Sequence, residues 1–189
     1  MEAQDHSIFR KAIGQEGLDG SEQQQLIQAC DLLQLAAGER LLSEGEVMHH
    51  FYFLRKGAIL VYQEAAFAER QIKRIYSDQE WMSSPSLINR QPSELIYELA
   101  TDTQLYRVSM ENLHKLIGES QRFLILARVF MNEHKPFEGY QARMSPEEKY
   151  GQLLAQRPQL LQYFPLKVIA AYLEMTPETL SRVRKKISQ

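Results

Sequence analysis

The residues best placed to do chemistry stand near the C-terminus, in TPETLSRVRKKI, Thr176 to Ile187. Thr176 is a good N-cap, Pro177 suits the first helical position, and Glu178 at the second faces the positive end of the dipole. Leu180, Val183 and Ile187, at i, i+3 and i+7, predict a narrow inward stripe. Thr179, Ser181, Arg182, Lys185 and Lys186 are then left outward. A guanidinium on such a face can donate two parallel hydrogen bonds to guanine O6 and N7. Glu178 can accept from a cytosine amine, or orient Arg182 one turn along. The hydroxyls of Thr176, Thr179 and Ser181 suit phosphate oxygens, and Lys185 and Lys186 supply the salt-dependent attraction. The alternative is a solvated helix whose Lys and Arg only match its dipole.

The segment before it, PLKVIAAYLEM, reads as a second helix with Val168, Ile169, Tyr172 and Leu173 inward. Two short helices joined by about three residues, the second polar and basic, predict a helix-turn-helix. Charge agrees with a polyanionic partner. From Gln141 onward there are eight Lys/Arg against four Asp/Glu (+4), while the preceding 140 residues hold 14 against 20 (−6). An acidic body with a basic end predicts two domains, the second meeting a polyanion.

The elements that must position this unit follow from the pattern upstream. Residues 1–33 read as helical, with Leu18, Leu26, Ala29, Leu32 and Leu33 roughly on one face and Asp19 or Ser21 as N-cap. From Leu35 to Val108 short runs of strand formers (RLL, HHFYFL, AILVYQ, QIKRIY, ELIYEL, QLYRV) alternate with turn residues and predict a meander or barrel. Gly45 and Gly57 suit turns that need φ > 0. EWMSSPSLINRQPSE, with its prolines and serines, breaks the series as a loop or short helix. SMENLHKLIGES then starts a helix at Ser109. In QRFLILARVFMNEHKPF the residues Phe123, Leu124, Ile125, Leu126, Ala127, Val129, Phe130 and Met131 run nearly all round the wheel, so more than one side needs cover. A second copy of the helix would supply it, which predicts a twofold homodimer through Phe123, Leu124, Ala127, Phe130 and Met131; the alternative is burial within one chain. SPEE, from Ser145, predicts a capping box opening a helix that stops near Pro158.

Composition excludes several classes. No stretch of about 18 apolar residues predicts a membrane span. The start lacks an apolar signal core, and one cysteine, Cys30, permits no intramolecular disulfide, so a soluble cytoplasmic protein is expected. One Cys makes neither a Cys₄ zinc site nor an iron–sulfur cluster within one chain; Cys30 in LIQACDLL reads as a small buried hydrophobe, with a redox or ligand role as the alternative. The sequence carries no Walker loop, no G-x-G-x-x-G, no G-x-S-x-G and no H-E-x-x-H, so no enzyme, catalytic residue or metal site is predicted.

IAAYLEMTPETLSRVRKKI resembles the helix-turn-helix of the Crp/Fnr superfamily of bacterial transcription regulators. AAGERLLSEGEVMHHFYFLRKGAILVY resembles its β-roll, and LATDTQLYRVSMENLHKLI the exit from the β-roll to the dimer helix. The resemblance runs from about Leu18 to Ile187. It implies an α+β fold: an N-terminal double-stranded, jelly-roll-like β-roll sensor over 1–118 with flanking helices, a long dimerisation helix and hinge over 119–140, and a winged-helix-like helix-turn-helix domain over 141–189 with its wing truncated. It implies a homodimer reading a palindrome. Glu178 and Arg182 stand where the family's recognition helix carries Glu and, four residues on, Arg. Pro177 replaces a frequent Arg, and Glu174 a frequent Gly at the turn.

Cyclic-nucleotide-binding members carry a Gly-Glu pair and a later Arg with small residues after it. Here the Arg position falls on Ser93, followed by Glu94, a carboxylate that would repel a cyclic phosphate, and the Gly-Glu region reads SDQEWMSSPS. The resemblance therefore implies a degenerate effector pocket that does not take cAMP. Arg90 is the candidate substitute for the lost Arg, and Trp81 and Met82 the candidate apolar lining, unless Trp81 fills the β-roll core. His49, His50 and His134 are the conceivable haem ligands, but no cofactor is predicted. The partners expected are duplex DNA, a second copy, an unknown small-molecule effector and RNA polymerase. The competing reading is a ligand-sensing module that acts through a protein partner.

Overall fold

The computed structural model describes residues 6–65, 69–133 and 144–187. Helix α1 (Ser7–Gln15) buries Phe9 and Ile13. Helix α2 (Gly20–Gln28) opens on a capping box. The Ser21 and Glu22 amides donate to Asp19 Oδ1 (2.9 and 3.0 Å), and Glu22 Oε2 accepts from the Asp19 amide (2.9 Å). The helix does not reach residue 33. Asp31–Leu35 is strand β1, paired along its whole length with β8 (Thr103–Ser109). The apolar spacing of Leu26, Leu32 and Leu33 mimics a helical face, but the open edge of β8 offers a ladder that local propensity cannot match.

The remaining strands are β2 (Arg40–Leu42), β3 (His50–Lys56), β4 (Ile59–Glu64), β5 (Arg70–Tyr76), β6 (Glu80–Met82) and β7 (Ile96–Leu99). They form two four-stranded antiparallel sheets, ordered β1-β8-β3-β6 and β2-β7-β4-β5. Strand β4 shows how the layers stack. Ile59 and Val61 point into a core shared with the first sheet. Their neighbours Leu60 and Tyr62 belong to a second core, beneath the C-terminal helices. Strand β7 divides likewise, Tyr97 inward and Ile96 outward. The first sheet is covered on its far side by α1. Phe9 stacks on Tyr106 at 4.1 Å between centroids and lies 5.2 Å from Phe53.

Helix α3 (Pro85–Asn89) interrupts the strands as the serine–proline run predicts. Helix α4 (Met110–Glu119) is capped by Ser109. A 3₁₀ turn (Gln121–Phe123) then leads into α5 (Leu124–Glu133). Phe123 is 0% exposed in the chain's own core, with Leu126 and Val129 beside it. That corrects its expected place at a twofold interface: Phe123 closes the turn against the double sheet and has no free surface to offer. Leu124 points away, 51% exposed, and Ala127 is half-buried. The side chains of Phe130 and Met131, and all of His134 and most of the expected hinge, lie outside the described residues.

Helix α6 (Pro146–Gln156) starts on the predicted box. The Ser145 amide donates to Glu148 Oε2 (2.7 Å) and the Glu148 amide to Ser145 Oγ (3.3 Å). It ends at Arg157, before Pro158. Helices α7 (Leu160–Tyr163), α8 (Leu166–Tyr172) and α9 (Pro177–Ile187) complete the chain. Leu180 and Val183 are buried as expected, but Ile187 is 44% exposed. The last turn of α9 lies beside the first turn of α6, where Lys186 Nζ meets Glu147 Oε1 at 3.2 Å, so the stripe has run past the second core. Among the described residues no helix is long and apolar enough to cross a membrane.

Gly57, between β3 and β4, has φ +116, and a Cβ there would meet Thr103 Oγ1 at 2.5 Å and the Asp102 carbonyl at 3.0 Å. Gly57→Ala combines a strained φ with a clash, and should cost about 2 kcal/mol or more. Urea unfolding should show it as a lower midpoint at unchanged slope.

Candidate functional site

The turn between α8 and α9 places the basic helix. Leu173 caps α8, and Glu174, which stands where the resembled family often carries glycine, takes φ +55, the left-handed conformation. The Glu174 amide donates to the Ala171 carbonyl (3.1 Å) and the Met175 amide to the Ala170 carbonyl (3.0 Å). Lys149, only 8% exposed, reaches across from α6. Its Nζ donates to the Leu173 carbonyl (3.1 Å) and lies 3.6 Å from Glu174 Oε2. A cation at a helix C-terminus meets the negative end of the dipole and satisfies an orphan carbonyl.

Helix α9 then starts on Thr176, whose Oγ1 accepts from the Thr179 amide (3.2 Å). Arg182 Nη2 donates to Thr179 Oγ1 (3.3 Å), so the threonine, not Glu178, orients the guanidinium. The Glu178 carboxyl is held below its usual range first by its own backbone amide and then by the Thr176 hydroxyl. Glu178, Ser181, Arg182 and Lys185 are all exposed and share one face, at i, i+3, i+4 and i+7. Thr176 and Thr179 cap the helix start rather than extend that face, and Lys186 turns back to Glu147. Arg184, also exposed, was missed. It stands four residues after inward Leu180, at the edge of the apolar stripe, where helical spacing alone does not mark it as outward.

The four expected effector residues do not converge. Trp81 packs against Phe53 (4.9 Å between centroids) and Phe9 (5.8 Å). Around it the space lined by Leu26, Cys30, Phe51 and Tyr106 has essentially no volume. Met82 is fully buried. Ser93 closes a turn on itself, its Oγ accepting from the Leu95 amide (3.0 Å) and donating to the Leu95 carbonyl (2.8 Å). Ser84 caps α3, and its hydroxyl meets that of Ser86 at 3.1 Å, which in turn accepts from the Met48 amide (3.1 Å). Tyr97, 1% exposed, donates to the Ser83 carbonyl at 3.4 Å. Arg90 stands apart, at φ +55 after α3, on a half-open cleft of about 550 Å³ that it shares with Val47, Met48, His49, Leu87 and Met110. Burial, then Arg107, holds His50 below the usual histidine range and thus neutral. Burial and the charge of Asp31 push the Cys30 thiol up to about 12, an inert thiol. Among the described residues no group of His, Cys, Asp and Glu could hold a metal.

One contact joins the two halves through a group that composition could not single out. Arg157 donates from Nε to Glu80 Oε1 (2.9 Å), from Nη2 to Glu80 Oε2 and the Ile75 carbonyl (both 2.7 Å), and from Nη1 to Tyr172 Oη (3.1 Å). Burial pushes the Glu80 carboxyl above its usual range, against the pull of Arg157.

A double antiparallel sheet with a short helix in its strand series, followed by a helical C-terminal unit, defines a class. Residues 32–120 match the cyclic nucleotide-binding domain family. The structural neighbours are Crp/Fnr-family regulators, the superfamily the sequence resembles. FixK2 from Bradyrhizobium japonicum superposes with a TM-score of 0.66 at 18% identity, covering 84% of each chain. Thermus thermophilus catabolite activator protein gives 0.57 at 17% identity, over 91% of this chain and 84% of that one. DNR from Pseudomonas aeruginosa gives 0.55 at 20%, over 99% and 89%. At these identities the likeness is one of fold. No curated protein matches the chain in sequence.

Glu174→Gly tests the turn. Glycine relieves the left-handed strain, and the Lys149 contact it removes involves a carboxylate that is 64% exposed and contributes little. The net gain should be about 0.5–1 kcal/mol, a rise of roughly 2–4 °C in melting temperature. A lower melting temperature would show that the Lys149 pair outweighs the strain.

Proposed function

We propose that this chain is a sequence-specific DNA-binding transcription regulator, a homodimer that reads an inverted repeat. The outward row of Glu178, Ser181, Arg182 and Lys185 on α9 carries the reading. Helix α9 has 11 residues, about 16 Å, a length that fits along a major groove. Its apolar side, Leu180 and Val183, is seated in the second core, so the polar side is the one left free to read. Helices α8 and α9 act as a helix-turn-helix, with α9 as recognition helix. Arg182 reads guanine, Glu178 a cytosine amine, and Lys185, Arg184 and the Ser181 hydroxyl hold phosphates.

The dimer rests on α5. Its inner side is buried in the chain's own core, while Leu124 is 51% exposed beside half-buried Ala127. A second α5 packed there completes the apolar girdle that the sequence pattern implies. The effector domain keeps the fold of a cyclic nucleotide site without its chemistry. Its buried polar side chains in this region are Ser83, Ser84, Ser86 and Ser93, with neither guanidinium nor carboxylate among them. Nothing there pairs with a cyclic phosphate or a ribose edge, so cAMP is not the effector. The regulator works in the cytoplasm and meets RNA polymerase at the promoter.

Selection from a random duplex pool at moderate salt should enrich an inverted repeat with half-sites about one helical turn, ~34 Å, apart. Arg182→Ala should relax one base position per half-site at a cost of roughly 1–3 kcal/mol, whereas Lys185→Ala should weaken all sequences alike and lower the salt slope. Retained base preference in the Arg182 variant would remove that residue from the reading face. Enrichment of nothing, with or without cell extract, would favour the protein-partner reading.

Leu124→Glu should convert the dimer to monomers in sedimentation equilibrium and abolish binding to the full repeat while leaving the fold intact. A monomeric parent protein would end the twofold model.

A further inference from the structure

The C-terminal helices are held on the double sheet by two kinds of force. One is the second core, in which Leu60, Tyr62 and Ile75 of the sheet meet Leu153, Phe164 and Tyr172 of the helices. Apolar contact of this kind attracts but does not orient. The other is polar and converges on one turn, Ser77–Gln79, between β5 and β6. Arg157 grips Glu80 with two parallel hydrogen bonds and the Ile75 carbonyl with a third. Tyr163 Oη donates to Asp78 Oδ2 (2.7 Å), and Gln159 Nε2 to Ser77 Oγ (3.3 Å). The turn is itself braced. Glu80 Oε2 accepts from the Ser77 amide (3.0 Å), Asp78 Oδ1 accepts from the Gly57 amide (2.6 Å), and Gln79 is held at φ +66.

The position of Arg157 matters as much as its partners. It caps the C-terminus of α6, its amide donating to the Leu153 carbonyl at 2.8 Å. Its Nη1 holds Tyr172, the last residue of α8 and two positions before the left-handed turn at Glu174. Glu80, at the other end, is the first residue of β6, the strand that runs through Trp81 and Met82 into the cap of α3. One planar side chain therefore ties the base of the turn into α9 to the strand that enters the former nucleotide site. A half-buried ion pair of this kind recovers little net stability after desolvation, and its fixed fork geometry is what an apolar pair would lack.

We infer that Arg157 and Glu80 are positioning residues for the recognition helix: they set the orientation of α8, and through it α9, on the double sheet, and make the β5–β6 turn the point through which the sensor domain addresses DNA. This inference rests on the DNA-reading proposal above for its functional consequence, but not for its structural one.

The test pairs Arg157→Met/Glu80→Met with Arg157→Lys in the full-length protein. The apolar pair removes both charges together and should melt within a few degrees of the parent. Hydrogen exchange should nonetheless speed up in the segments containing Ile75 and Tyr172, while the inner strands β3 and β8 keep their protection. Affinity for the selected duplex should fall at least tenfold with base preference unchanged, because two loosely oriented helices engage two half-sites less effectively. Arg157→Lys, a point charge without the fork, should not restore it. Unchanged affinity and protection would reduce the pair to packing and overturn the inference. Tighter binding would overturn it too, since the docked arrangement would then oppose reading. If the parent selects no duplex, the DNA reading fails, and exchange at Ile75 and Tyr172 still decides whether the pair orients the helices.

Discussion

Burial of the second sheet on both faces is the constraint from which the rest of the molecule follows. Strand β4 carries six residues, Ile59–Glu64, and buries its first four. With side chains alternating, two of those face the first sheet and two face away, and the two facing away need a cover as apolar as the first. The C-terminal helices are that cover. Leu60 and Tyr62 would be a liability on an isolated double sheet; under Leu153, Phe164 and Ile169 they become the floor of a second core. The helical unit is thus a structural layer of the protein as well as a candidate reading head, and its orientation is a property of the sheet beneath it.

Much of this was legible from residue order, and the misses have a common cause. Capping chemistry is local and read correctly: Ser145 with Glu148 and Thr176 before Pro177 sit where spacing requires, and of the two candidates Asp19 and Ser21 it is Asp19 that caps. Turn positions at Gly45 and Gly57 read correctly for the same reason, whereas Glu174 was placed at a turn only through the resemblance. Residues 31–33 read wrongly as helix because their strand exists only through a partner some 70 positions away. Phe123 read wrongly because an apolar residue on an all-round apolar helix does not say which side its own chain will cover. Ile187 failed at the edge of a core whose extent no periodicity reports. The Arg157–Glu80 pair was invisible: an arginine before a proline and a glutamate before a tryptophan carry no signal until the fold brings them to 2.7 Å.

The candidate effector residues divide along the same line. The resemblance placed Trp81, Met82, Arg90 and Ser93 at one site because relatives use that stretch to hold a ligand. In this chain the space is taken instead by side chains. Trp81 joins Phe9 and Phe53, Tyr97 leans on the Ser83 carbonyl, and the serine hydroxyls are spent on one another and on backbone amides. The hydroxyls of Ser84, Ser86, Ser93 and Tyr97 already have partners, so a ligand entering here would first have to break those hydrogen bonds. The one cation of the set, Arg90, remains outside on its own cleft.

A filled pocket changes what the domain can transmit. Helix α3 is held by the Ser84–Ser86–Met48 hydrogen bonds at its start and by buried Leu87 within it. Just before it, the β5–β6 turn is joined to the C-terminal helices by polar contacts. Hydrogen bonds have discrete alternatives in a way that apolar cores do not, since a carboxylate can exchange one donor for another without creating a void. The route we infer from this double sheet to the C-terminal helices therefore runs through the way Ser77, Asp78 and Glu80 are gripped.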